Sequence, residues 1–175
     1  QSDGTAWMAM YTLNLMRIAL ELAVRDHVYE DIATKFFEHF LLIAEAMTNV
    51  GGQEFGLWND ADEFYYDVLE LPGAEAVPMR VRSMVGLIPL FAVEVIDGAI
   101  VSRLPEFTAR LRWFLDHRPE LAALVSRWME RSEDERQLLS WLRGHRMKYL
   151  LRRMLEENEF WSQCGVRSLS KCHEQ

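Results

Sequence analysis

From Ala6 to Val24 nearly every position is apolar; the exceptions are Thr12 and a narrow polar stripe of Asn14, Arg17 and Glu21, continued by Arg25 at spacings of three and four. That period predicts a helix to about Arg25, with Asp3-Gly4-Thr5 supplying the N-cap, and so little polar surface predicts burial on more than one side. The next run, about Val28 to Asn49, carries one apolar stripe (Tyr29, Ala33, Phe36, Phe40, Ile43, Met47), with Glu30, Asp31, Lys35, Glu38 and Glu45 largely opposite. A surface helix follows from that pattern, and the pair suggests an inner and an outer layer. Asn49-Val50-Gly51-Gly52 ends it. Glu63–Leu69 is rich in β-formers and pairs in expectation with Ala76–Val81 across Pro72-Gly73.

Gly86 then opens a helix to about Ile96, with Pro89 in its first turn. Pro105–His117 repeats the amphipathic pattern, with Phe107, Leu111, Phe114 and Leu115 inward. Further helices are predicted from Pro119 to about Arg131 and from His145 to Glu157, before the irregular "NEFWSQCGVRSLS". The expected fold class is all-α, with one short β-hairpin insert.

At 175 residues the chain fits one domain with a sizeable core. Its net charge of −8 argues against a nucleic-acid partner, because phosphate affinity comes from clustered Lys and Arg. Charge is uneven: residues 1–100 hold 5 basic and 16 acidic side chains and residues 101–175 hold 14 and 11, the latter basicity falling on amphipathic helices as a solvated face. No segment has the roughly 20 apolar residues of a membrane span, and "QSDGT" is no signal peptide. The two cysteines, Cys164 and Cys172, make no disulfide framework and suggest a reducing compartment, and a cytoplasmic location is expected from the missing signal peptide. With His173 they match no zinc spacing, and neither metal nor cofactor is expected. A start at Gln1 without Met and an end in "SLSKCHEQ" suggest a piece of a longer chain.

Candidate chemistry concentrates between Gly56 and Leu90. Asp60, Asp62, Glu63 and Asp67 fail as a calcium loop, since Tyr65 stands where the loop needs Gly and Leu71 where it needs Glu. Asp60 and Asp62 read as an exposed turn. In a strand, Tyr65 and Asp67 share one face and Phe64 and Tyr66 the other, so one face presents a phenol and a carboxylate to a cleft or simply packs on helices. Arg80 and Arg82 suit hydroxyl or anionic groups of a ligand, or else pair with Asp67 or Glu63. Among the tryptophans, Trp7, Trp58 and Trp161 near helix ends or loops are better sugar-stacking candidates than helical Trp113 and Trp128. His27, His39, His117 and His145 read as surface residues, and no nucleophile triad or phosphate loop is evident.

The segments "QSDGTAWMAMYTLNLMRIALELA", "YEDIATKFFEHFLLIAEAM", "GLWNDADEFYYDVL", "VRSMVGLIPLFAVEV" and "FWSQCGVRSLS" resemble, in order, consecutive parts of glycoside hydrolase family 63, in particular its bacterial and archaeal members related to the mannosyl-oligosaccharide glucosidases. The resemblance covers essentially the whole chain. It implies an (α/α)6 barrel, of which residues 1–175 supply about half, the partners being the missing parts of the same barrel and an oligosaccharide or small glycoside. It also implies an inverting mechanism, with two carboxyl groups about 6.5–9.5 Å apart. The family's acid lies upstream of the matched segments and its base downstream, so no catalytic residue is assigned and the chain alone is expected to be inactive. What the resemblance carries over is substrate-side: Asp3 and Trp7 at the start of an inner helix, Tyr66 and Asp67 on the hairpin, Arg82, Ser83 and Gly86 leading into another inner helix, and Arg167 on a rim loop. The competing reading is a non-enzymatic helical module that binds a ligand or protein. Exposed apolar surface distinguishes the two, the half-barrel leaving Trp7, Met8, Met10 and Leu13 uncovered.

Overall fold

The computed structural model describes residues 2–48, 56–69, 71–73, 75–123, 136–142 and 144–174. Two compact units divide the chain: Gln1–Trp7, Ala46–Phe91 and Gly144–Gln175 form the first, Met8–Glu45 and Ala92–Arg143 the second.

The expectation of an all-α chain forming about half of an (α/α)6 barrel is wrong. Among the described residues, helices alternate with four separate two-stranded antiparallel sheets. After helices α1 (Ser2–Ala23) and α2 (Val28–Thr48) come strands β1 (Trp58–Asn59), β2 (Phe64–Tyr65), β3 (Asp67–Leu69) and β4 (Val77–Met79). A 3-10 helix, Met84–Phe91, leads into β5 (Val93–Asp97), α3 (Gly98–Ser102), α4 (Pro105–His117) and α5 (Pro119–Ala122). Strand β6 (Arg136–Ser140), α6 (Gly144–Leu155), β7 (Trp161–Ser162), β8 (Gly165–Val166) and a 3-10 turn, Lys171–His173, complete the chain.

The largest correction falls at 86–96. Pro89 lies inside a 3-10 helix instead of opening an α-helix, and the following residues pair as a strand with β6, from Val93 opposite Ser140 to Asp97 opposite Arg136. The cause is local: proline removes an N–H, and Val93, Val95 and Ile96 are β-branched, which favours a pleated surface over a helix. The hairpin across Pro72-Gly73 is present as β3–β4, with Gly73 at φ 78°. A second hairpin, β1–β2, precedes it, so Phe64 to Asp67 is not one continuous strand. Trp128 and most of the helix expected after Pro119 lie outside the described residues.

In the second unit α1 buries Ala9, Leu13, Met16, Leu20 and Ala23, a single stripe and not the two-sided burial expected. Met8, Tyr11, Leu15, Ile18 and Leu22 form a second apolar stripe that is exposed, Ile18 to 56%. Of the four residues expected to be uncovered, Met8 is, Leu13 is buried, and Trp7 and Met10 are half-buried. On α2 the buried set is Ala33, Phe37, Phe40, Leu41 and Ala44, rotated from the predicted stripe so that Phe36 and Ile43 are only half-buried. Phe37 meets Phe114 of α4 edge-on, at 6.4 Å between ring centroids.

Glu30, expected on the outer face of α2, is 1% exposed. Its carboxylate accepts the Phe107 N–H at 2.8 Å, one of the unpaired donors in the first turn of α4, and contacts His27 Nδ1 at 2.6 Å. A helix start that no side chain of its own caps is thus satisfied from a neighbouring helix. Glu30→Ala leaves the Phe107 donor buried and unpaired, and a urea melt should show a loss of about 1–3 kcal/mol.

The first unit packs around aromatics. Phe64 stacks on Phe160 at 5.8 Å and lies 5.5 Å from Tyr66. Leu57, Tyr65, Leu87, Ile88 and Leu150 are buried with them. Gly86 sits directly against Phe64 and the Tyr65 carbonyl.

Candidate functional site

Strand ends and turns of the first unit bring a polar cluster together around Arg82. The guanidinium donates from Nε to the Tyr66 hydroxyl at 3.2 Å, from Nη1 to Glu159 at 2.8 Å and from Nη2 to Asp62 at 3.1 Å. A fork of five donors in one plane meets three separate acceptors in this way, whereas a lysine presents its three donors from a single nitrogen. Arg153 donates to Glu159 at 2.6 Å and also to the Asp62 carbonyl. The other Glu159 oxygen accepts from the Ser170 hydroxyl. Glu159 is therefore a buried carboxylate between two arginines, fully engaged by its neighbours.

The backbone reinforces this. The Arg82 N–H donates to His173 Nε2 at 2.9 Å, and its carbonyl accepts the Ser170 N–H at 2.8 Å. Ser83 bridges Leu169, and the Met84 N–H donates to the Ser168 carbonyl at 2.8 Å. The segments "VRSM" and "VRSLS" are thus clipped together. Burial alone would lower the Arg82 guanidinium, but the Tyr66 hydroxyl, Glu159 and Cys172 outweigh it, and the group is held above the usual arginine range. Burial pushes the Tyr66 phenol up; Arg82 opposes this and Asp62 adds to it.

Beside the cluster lies a cleft of about 270 Å³, lined by Trp58, Asn59, Tyr66, Val68, Pro78 and Arg80, among others. The Trp58 indole is held from three sides. Its N–H donates to Asp60 at 2.9 Å, Tyr65 meets it edge-on at 4.9 Å, and Arg146 lies 4.9 Å from the ring centroid. Asn59 accepts the Asp62 N–H, closing the turn whose last residue, Glu63, is left-handed at φ 48°. Among the described residues Arg80 makes no ion pair and is exposed at the cleft. The opening is near the lower end of small-molecule pockets, about 300–1,000 Å³.

Of the eight residues expected on the substrate side, the structure brings together Tyr66, Arg82 and Ser83, with Gly86 packed immediately behind them. Asp67 lies on β3 opposite Met79 and outside the Arg82 cluster. Trp7 stacks on Phe91 at 5.8 Å. Arg167 is spent on the carbonyls of Glu157 and Trp161, which fixes the β7–β8 turn. Asp3 begins inside α1 and not at its cap, and its side chain is outside the described set. The expected partners of Arg82, Asp67 or Glu63, are replaced by Asp62 and Glu159, while Glu63 pairs with Arg152 at 2.7 Å. Asp62 is no idle turn residue.

Cys164 and Cys172 are free and exposed. Among the described residues no three His, Cys, Asp or Glu side chains gather as a metal site, and no helix is long and apolar enough to cross a membrane.

No protein-family profile matches the chain, and no solved structure matches it. A protein of Saccharomyces cerevisiae, "Uncharacterized protein YMR196W", is 42% identical over 186 residues. The matched region takes in 99% of this chain but 17% of that protein, so the chain spans about a sixth of the length of its yeast relative.

Proposed function

We propose that this chain is part of a family 63-like glycoside hydrolase acting on α-glucosides or related oligosaccharides, to which it contributes substrate-binding surface and not the catalytic pair. The observation that carries the reading is the Trp58–Asn59–Tyr66–Arg80 cleft, because an indole face, an amide and a guanidinium are the groups that grip a sugar ring and its hydroxyls. The Arg82–Glu159 cluster supports it by holding Tyr66 at the cleft wall. A relative several times longer supports a larger protein in which the acid and base are supplied elsewhere. The two free thiols suit a cytoplasmic setting.

The exposed Met8–Tyr11–Leu15–Ile18–Leu22 stripe fits the same reading, as a face left for other parts of a larger protein, whereas the second reading, a non-enzymatic helical module that binds a ligand or protein, expects such surface to be buried. Calorimetric titration of the 175-residue chain with maltose separates them. The sugar-binding reading predicts millimolar binding without hydrolysis, weakened about tenfold or more in Trp58→Ala. Absence of binding, or binding indifferent to Trp58, contradicts it.

A further inference from the structure

Arg146 occupies the first turn of α6, just after its start at Gly144. This is an unfavourable place for a cation. The positive end of the helix dipole lies there, and the first turn holds no acidic residue to offset it. The side chain is not compensated elsewhere. Among the described residues its guanidinium has one polar or aromatic partner, the Trp58 indole, and its Nε is buried without a hydrogen bond. A cation held where helix and burial both disfavour it, with its charge over one aromatic ring, is accounted for by what that ring does.

Trp58 lines the cleft of about 270 Å³, and Arg146 is not among the residues lining it. The indole needs holding. It is half-buried on a strand of two residues, its N–H bond to Asp60 is open to water, and Tyr65 touches it edge-on. A stacking platform that is still free to turn loses that freedom when a ligand binds, which lowers affinity. We infer that Arg146 is a positioning residue of this cleft, which acts through the Trp58 indole by holding the ring in the orientation that meets a ligand. The inference rests on the sugar-binding reading for the identity of that ligand.

Three variants of the 175-residue chain separate the charge from the bulk. Arg146→Met keeps a long apolar stem and removes the cation; Arg146→Lys keeps a cation that can lie over the ring. In the free, 15N-labelled protein the Trp58 indole N–H should show an order parameter near the rigid value of about 0.85 in the parent and below about 0.7 in Arg146→Met and Arg146→Ala. Maltose should bind about tenfold more weakly to Arg146→Met and within about threefold of the parent to Arg146→Lys. The melting temperature of Arg146→Met should stay within about 2 °C of the parent, because the lost contact with Trp58 is offset by removal of a disfavoured cation and an unpaired Nε. A merely structural residue would instead lower the melting temperature and leave the affinity unchanged. Failure of the parent to bind maltose would strike the sugar reading alone. The assignment of Arg146 is overturned by a Trp58 indole equally rigid in parent and Arg146→Met, by maltose binding to Arg146→Met as tight as the parent's, or by Arg146→Lys binding as weakly as Arg146→Met.

Discussion

Replacing Glu159 with alanine should destabilise the first unit by about 3–5 kcal/mol, the cost of removing one partner from a buried ionic cluster. The carboxylate accepts from Arg82, Arg153 and Ser170 at once, and only about a tenth of its side chain reaches solvent. Without it two guanidinium groups face each other across a vacated site and the buried Ser170 hydroxyl loses its acceptor. Glu159→Gln keeps the shape and an acceptor oxygen but loses the charge, so it should fall between the parent and the alanine variant. Urea unfolding of the three proteins measures this. Because the cluster is largely shielded, added salt to about 0.5 M should change the difference little. A loss below about 1 kcal/mol in Glu159→Ala, the size of an ordinary surface ion pair, would show that the cluster does not hold the fold.

Gly86→Ala should cost about 3 kcal/mol, at the upper end for overpacking a close-packed core. A Cβ at this position would meet the Phe64 ring edge, with Cζ at 2.7 Å, and the Tyr65 carbonyl oxygen at 2.5 Å. Real Cβ atoms essentially never come so close to another residue's carbonyl oxygen, so the 3-10 helix Met84–Phe91 must move away from β2. A rotamer change at Phe64 cannot relieve it, because the Tyr65 oxygen belongs to the backbone. At roughly 2–4 °C per kcal/mol for a chain of this size, the melting temperature should drop by about 6–12 °C. The comparison Gly73→Ala tests the other use of glycine. That residue has open space around its Cβ but a φ of 78°, so it loses only the left-handed preference, about 1 kcal/mol. Equal losses at the two positions would contradict the packing argument.

Gly86 also shows how far the sequence alone reaches. The resemblance places it on the substrate side; what the structure shows is a residue that lets a 3-10 helix approach an aromatic ring and a backbone carbonyl. Helices with strong periodicity and clear ends were legible: α2 and α4 fall within a residue or so of expectation. The hairpin at Pro72-Gly73 was legible because its turn chemistry is local. Strand β5 was not, since its partner β6 lies some forty residues away and pairing at that distance leaves no local mark beyond β-branched residues. The role of Glu159 was equally hidden. It stands in an irregular stretch, and its three partners come from residues 82, 153 and 170, so only the fold assembles them. Glu30 was misplaced for a related reason: a charged residue at a helix start reads as solvated unless the neighbouring helix that needs its acceptor is known.

Five exposed apolar side chains on α1, at spacings of three and four, form a stripe of the kind that monomeric proteins rarely leave uncovered.

The central claim is that the Trp58–Tyr66 cleft grips a sugar, and the Trp58 indole N–H resonance reports on it directly. In a 15N-labelled chain titrated with maltose, this resonance should move progressively and saturate with the calorimetric affinity, while the indole resonance of Trp113, exposed on α4 in the other unit, stays fixed. A Trp58 resonance that does not move while maltose is present at several times its expected dissociation constant would contradict the claim.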